Sequence, residues 1–441
     1  VKIRDVSAPD RLLTPARGGA LLVGGILVLA FNLRGSISSL PPVFPELQSA
    51  LHISASGLAV LAAIPVLCFA VFSGTAAPLS RRFGEERVLW AALLLLAAGL
   101  LLRGISPAAL LFPGTVVAGA AIALMNVLLP SLVKRRMPER AGLLIGLYLL
   151  MLASGAILAS VLAIPVFDAA GGPAHGAAAA NSPAIRITVA LWAGPALLAA
   201  LIWVPQLRHR TLPEHASARR AGGRRSGTAA MARSALAWQV MLFMGLQSLS
   251  YYATLSWFPT MFRDRGVSAA HAGDLLALMN LGNAVTALLI PVLAHRARDQ
   301  RLLAAVAMLA TAAGLAGAVF GPAGLAAPFI FLLGLGQGAS LGLGIFYTMA
   351  RAPEPMTAAT LSAFAQGIGY LIASAGPLTI GFVHDATGGW TVPGLVLLGV
   401  TVLQLITGWL AGRARTVPSI QVTPIQGPSI QVPPSQPPLI Q

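Results

Sequence analysis

LRHRTLPEHASARRAGGRRSGTAAMARSA, residues 207–235, is a basic, hydrophilic island in an otherwise apolar chain, and it carries Arg208, Arg210, Arg219, Arg220, Arg224, Arg225 and Arg233. The sequence on its two sides reads as two copies of one unit. Moving the second half back by 214 positions sets Phe258-Pro259 on Phe44-Pro45, Val267-Ser268-Ala269 on Ile53-Ser54-Ala55, and the basic run His295-Arg296 to Arg301 on Arg81-Arg82 to Arg87. Further on, Pro353-Glu354 falls on Pro138-Glu139, and Val383-His384-Asp385-Ala386 on Val166-Phe167-Asp168-Ala169, with almost the same spacing. A parallel repeat joined by a polar loop predicts a protein of two like lobes.

The chain has 441 residues, is 56% hydrophobic and only 10% charged, and has a mean hydropathy of +0.80. That leaves too little polar surface for a soluble globule and predicts a membrane protein. The single cysteine, Cys68, lies in an apolar run and reads as packing, which excludes a disulfide or thiolate-metal framework. A net charge of +16 would fit a nucleic-acid partner in a soluble protein, but its distribution points to a lipid bilayer instead. Apart from Arg34 inside a span and Arg103, Arg186, Arg263 and Arg265 in the opposite loops, every Lys and Arg falls in alternate loops or at the termini. This is the positive-inside pattern, and it predicts cytoplasmic termini, a cytoplasmic island and no nucleic-acid partner. The first span is expected to stay in place, without a cleavable signal.

A helix needs about 20 apolar residues to cross a bilayer. Such segments fall at 20–44, 55–79, 88–105, 107–133, 141–166 and 185–206, and again at 236–262, 270–294, 302–320, 325–350, 357–383 and 391–412. The predicted fold is therefore an all-α membrane protein with twelve transmembrane helices in two pseudo-symmetric six-helix lobes. Its expected parts are a cytoplasmic arm at 1–19, lobes at 20–206 and 236–412, the basic linker at 207–235, and a disordered cytoplasmic tail at 413–441 that repeats Ser-Ile-Gln-Val. Gly142-x3-Gly146 in span 5 and Gly338-x3-Gly342 in span 10 predict close approach of helix backbones.

Arg34 lies about 14 residues into span 1, roughly 21 Å from its basic end at the rise of an α-helix. An unpaired arginine at such depth costs at least about 2.5 kcal/mol, so it is expected to face a cavity and to have a partner. Every Asp and Glu of the sequence lies at a span end or in a loop, so no mid-membrane acid is available. Either an anionic or electron-rich substrate supplies the missing counter-charge, or backbone carbonyls and amide side chains satisfy the guanidinium, or it reaches back to the interface. Other intramembrane polar groups form stripes at helical spacing: Gln247, Tyr251 and Thr254 on span 7; Ser362, Gln366, Tyr370 and Ser374 on span 11; Asn280 and Asn283 on span 8. Asn126 in span 4 and Gln337 in span 10 add to these, and each has two readings, a helix-to-helix hydrogen bond or a substrate contact.

The loops after spans 2 and 8, which carry Arg81, Arg82 and Gly84 and then Arg296, resemble the cytoplasmic signature of the major facilitator superfamily, Gly-x-x-x-Asp-Arg-x-Gly-Arg-Arg. Arg82 and Gly84 match it, whereas Arg81 replaces its Asp and Ala77 its first Gly. Within that superfamily, Asn32-Leu33-Arg34, the run from Asn126 to Arg136, Gly245-Leu246-Gln247-Ser248 with Tyr251-Tyr252, and Ala365-Gln366-x-x-Gly369-Tyr370 resemble the cyanate and 2-nitroimidazole transporter branch. The resemblance implies a secondary transporter that moves a small anion or small planar nitrogen compound across a bacterial inner membrane by alternating access and works as a monomer. The intramembrane polar groups predict a site formed by Arg34, Asn32, Asn126, Gln247, Tyr251, Asn283, Gln337, Gln366 and Tyr370, and the signature loops place Arg81, Arg82, Gly84 and Arg296 in conformational-switch loops.

No ATP-binding Gly-x4-Gly-Lys-Ser/Thr run is present, and the histidines show no ligand spacing, so neither a cofactor nor a metal is expected. A multidrug efflux antiporter of the same superfamily is the alternative, although it would want an embedded carboxylate for proton exchange. A membrane sensor or enzyme would need a catalytic constellation or an effector domain, and no catalytic residues are assigned.

Overall fold

The computed structural model describes residues 15–173, 182–208, 227 and 229–419; most of the arm, the central island and the tail lie outside these. Among the described residues, eleven helices are long and apolar enough to cross a membrane. The helix outside that set is Ala235–Asp264, the seventh span, which carries Gln247, Tyr251, Tyr252 and several hydroxyls yet buries almost every residue of its C-terminal half. A span this polar has to face protein or water rather than lipid.

Spans 1 to 6 are built on the helices Pro15–Ser38, Ala55–Phe72 continued by Ala76–Phe83, Glu85–Ile105, Pro107–Arg136, Ala141–Ala169, and Pro183–Ala190 continued by Ala193–Trp203. Spans 8 to 12 are Ala269–Arg296, Arg301–Phe320, Ala326–Ala350, Pro355–Thr387 and Thr391–Ala411. Span 1 is shorter than the sequence reading, because Pro41 and Pro42 break it into a turn before a separate helix at Phe44–Leu51.

The sequence repeat is visible in the caps. Helix Phe44–Leu51 ends at His52 in the left-handed region with φ 51°, and its counterpart 214 positions on, Gly266, takes φ 83° at the end of span 7. Two residues after each, Ser54 and Ser268 cap the next helix by accepting a hydrogen bond from the backbone N–H three residues ahead. Packing repeats as well. Span 1 lies against 5 and 6, span 2 against 4, and span 3 against 4 and 6; span 7 lies against 11 and 12, span 8 against 10, and span 9 against 10 and 12. Across the lobes, span 2 packs on span 11 and span 5 on span 8, two contacts that interconvert under a shift of six helices.

The lobes are closed at the end opposite the basic loops. There, Arg263 of span 7 pairs with Glu46 at 2.7 Å and reaches the carbonyl of Pro42, the backbone N–H of Ser56 donates to Asp385 Oδ2 at 2.7 Å, and Phe44 stands edge-on to Trp257. At the basic end, the small residues of span 5 are not used as expected. A Cβ added at Gly142 or Gly146 would meet nothing, because no helix lies against that face, whereas one added at Gly338 would strike the carbonyl of Asn283 on span 8.

Candidate functional site

Arg34 sits where spans 1, 5, 7 and 11 converge. Its guanidinium carbon lies 4.8 Å from the ring centroid of Tyr251 and 5.9 Å from that of Tyr252. Tyr370 on span 11 and Tyr148 on span 5 are also within electrostatic reach of it, so four of the five tyrosines of the chain gather around one charge. Among the described residues, no carboxylate joins them. A desolvated cation–π contact is worth about 2 kcal/mol, close to the lower insertion cost of a buried arginine, about 2.5 kcal/mol. The tyrosine faces therefore make the charge tolerable without neutralising it. A guanidinium has five N–H donors, and one side-chain hydrogen bond to Tyr251 leaves the others for another partner.

The surrounding amides fall into three groups. Asn280 accepts from the Tyr251 hydroxyl at 2.8 Å while its own amide is tied to Leu276 O, so it fixes the ring under Arg34. Asn126 plays the same part for Tyr148, accepting from its hydroxyl at 3.3 Å. Asn283, one turn beyond Asn280, buries its Nδ2 without an acceptor and borders, with Arg34 and Tyr251, a cavity of about 40 Å³. That is room for about three water-sized occupants. The free groups at this cavity are thus donors, namely a guanidinium and an amide N–H.

Other residues of the expected site lie elsewhere. Asn32 is on the face of span 1 away from Arg34, fully buried, and donates to Val28 O and to Pro195 O of span 6. Gln247 and Gln337 join spans 7 and 10: Gln247 donates to Gln337 O, and Gln337 to Ser250 and Thr254. Gln366 is exposed one turn from Tyr370 toward the basic end and bonds Ser362. Tyr148 and Tyr252 were missing from the expected set. The signal that would have found them is the scarcity of tyrosine: the chain has five, and all five lie within apolar-length segments rather than loops.

At the basic end, Arg81, Arg82 and Arg296 are exposed, and Gly84 takes φ 89°. The buried charges of this region are Glu85 and Glu86, which face Arg135 at 3.3 Å and Arg136 at 3.8 Å on span 4. Their counterparts in the second lobe are Gln300 and Arg351, which are hydrogen-bonded to each other. The repeat therefore keeps a polar clasp here, with the amide of Gln300 in place of the Glu86 carboxylate, while Asp299, the counterpart of Glu85, pairs with Arg301 at 3.2 Å.

A family model described as Major Facilitator Superfamily matches residues 26–377. The chain belongs to the Major Facilitator Superfamily. It is a transporter and not an enzyme, and its relatives are transporters along nearly their whole length. The 2-nitroimidazole transporter of Escherichia coli (strain K12) is 39% identical over 400 residues, 90% of this chain and 96% of the relative. The cyanate transport protein CynX of the same organism is 29% identical over 385 residues, 86% of this chain and 95% of the relative. Among solved structures, a bacterial homologue of the human lysosomal transporter Spinster in an inward-facing, unoccupied conformation superposes with a TM-score of 0.73 over 91% of this chain and 98% of that one, at 15% identity. This last likeness bears on the fold, and the two lobes of the superfamily are those described above.

Proposed function

We propose that this superfamily member moves a small anion, or a small planar nitrogen compound rich in acceptors, by alternating access of its two lobes, with Arg34 as the fixed positive charge of the substrate site. The observation that carries the reading is a guanidinium deep in the bundle that has four tyrosines and no acid around it, beside a cavity whose other free group is the Asn283 amide N–H. Donors without acceptors select an acceptor as ligand. The relatives named for cyanate and for 2-nitroimidazole support that substrate class. Tyr251 and Tyr370 hold the guanidinium, Asn126 and Asn280 hold tyrosines, and Gln366 lies on the basic side of the site. Gln247 and Gln337 keep spans 7 and 10 together as the lobe moves. The positive-inside pattern supports cytoplasmic basic loops in a bacterial inner membrane, and on that reading the state described, closed at the opposite end, is the inward-open one. A proton-exchanging multidrug antiporter is less well supported, because no carboxylate stands at the site.

The test is binding of labelled cyanate and of 2-nitroimidazole to purified parent and Arg34→Gln protein. Loss of one charge-assisted hydrogen bond weakens binding roughly tenfold to a hundredfold, and Arg34→Lys, which keeps charge without the planar fork, should fall between. Equal affinity of Arg34→Gln for both compounds would make Arg34 structural.

A further inference from the structure

Arg103 of span 3 is a second cation without an acid, and it is more deeply enclosed than Arg34, with 2% of its surface exposed. Its Nη1 makes one long bond, 3.5 Å to the carbonyl of Ser36, and its Nε is buried without an acceptor. No charged group stands near enough to act on it. Side chains on a helix lean toward its N-terminus, so Arg103, near the outer end of span 3, points back into the bundle and meets span 1 only two residues beyond Arg34.

The space it borders is a cavity of about 20 Å³, shared with Ser36, Tyr252 and Ser256 and bounded outward by Pro41 and Phe44. Three features give this space a role. Tyr252 lies over Arg34 and also lines this cavity, so one residue borders both sites. Pro41 and Phe44 belong to the broken end of span 1 that carries Glu46, one half of the outer ion pair, so parting the lobes there uncovers the cavity. A buried guanidinium offers five N–H donors, and room for a single water leaves most of them unserved.

The hydroxyls of Ser36 and Ser256 here donate to the carbonyls of Asn32 at 2.9 Å and of Tyr252 at 2.7 Å, one turn back on their own helices. We propose that Arg103 is an outer anion station, with these two hydroxyls turning from their carbonyls to the anion: when the lobes open at the Glu46 end, an entering anion is taken by Arg103 and passed along the Tyr252 ring to Arg34. In the state described the station is narrow, about 20 Å³. The proposal rests on the reading of Arg34 as an anion site, and the experiment separates the two.

Cyanate is the probe, with parent, Arg34→Gln, Arg103→Gln, Arg103→Lys and Ser256→Ala compared in detergent and in proteoliposomes. Equilibrium binding in detergent reads the Arg34 site, and entry from the Glu46 side reads the whole path. Arg103→Gln should bind cyanate within twofold of the parent yet lose tenfold or more in entry at low cyanate, and Arg103→Lys should recover at least a third of the parent rate because the charge is restored. Ser256→Ala, which removes no charge from the interior, should lower entry about threefold with binding unchanged, and it carries the test if Arg103→Gln does not fold. The station is refuted if Arg103→Gln loses binding and entry in the same proportion, if entry is unaffected, or if Arg103→Lys is as slow as Arg103→Gln. Where Arg103→Gln does not fold, unchanged entry in Ser256→Ala refutes it. Unchanged cyanate binding by Arg34→Gln would instead overturn the reading beneath it, and the station with it.

Discussion

Arg263 at the outer end of span 7 lies 2.7 Å from Glu46 in the helix that follows span 1, and this pair ties one lobe to the other across the closed end. Both side chains keep some exposure, 23% and 14%, so the pair contributes less than a buried one, about 1 kcal/mol. That amount is enough to shift a two-state balance about fivefold. Glu46→Gln and Arg263→Gln should each enlarge the outward-open population by that factor, and the exchanged pair Glu46→Arg with Arg263→Glu should restore it. Labelling of a cysteine placed at Ser256, in a Cys68→Ser background, reads the population from the outer side. Labelling that stays constant in both single variants would remove the pair from the gate.

The hydroxyl of Tyr251 is a separate handle from its ring. Tyr251→Phe keeps the aromatic face 4.8 Å from Arg34 but leaves Asn280 Oδ1 without its donor. The lost bond in a buried setting costs about 1 to 1.5 kcal/mol, so cyanate binding should weaken about tenfold if the hydrogen bond positions the ring. Tyr251→Leu, which also removes the cation–π contact, should bind worse still. Binding titrations of both variants check the order, and a Tyr251→Phe protein that binds like the parent would mean that the ring alone holds Arg34.

Much of this arrangement was legible in the sequence. The apolar runs of span length and the constant offset between halves carry the fold, because a helix must fill the bilayer's thickness and a duplicated unit keeps its turns in register. Arg34 stood out since a charge at mid-span is costly wherever it points. Stripes of amides were less informative: Gln247 has the spacing of a cavity residue, and only the neighbouring span 10 decides that it serves packing. Arg103 reads as a loop residue by position, four places before span 4 begins to be counted, and becomes a buried cation only because its side chain leans inward. Tyr148 has no local pattern at all; its place near Arg34 is a property of how spans 1 and 5 pack.

Two glycine pairs with the same spacing should answer differently to enlargement. Gly338 in span 10 abuts the carbonyl of Asn283 and the hydroxyl of Thr286 on span 8, so a methyl group there displaces backbone within one lobe. Gly338→Ala should lower thermal stability by about 1 to 3 kcal/mol, as overpacking does. Gly142 and Gly146 in span 5 have open space before them, and the facing half of span 8 exposes Leu289, Val292 and Leu293. Span 5 already packs on span 8 at the closed end, so closing the basic end brings these surfaces together, and the glycines make a flat seat for the three side chains. Gly146→Leu should therefore leave the melting temperature and cyanate binding in the inward-open state near parental values while slowing transport about tenfold or more, since the bulk is met only on closure. Transport at the parental rate with Gly146→Leu would show that the basic end closes along another surface.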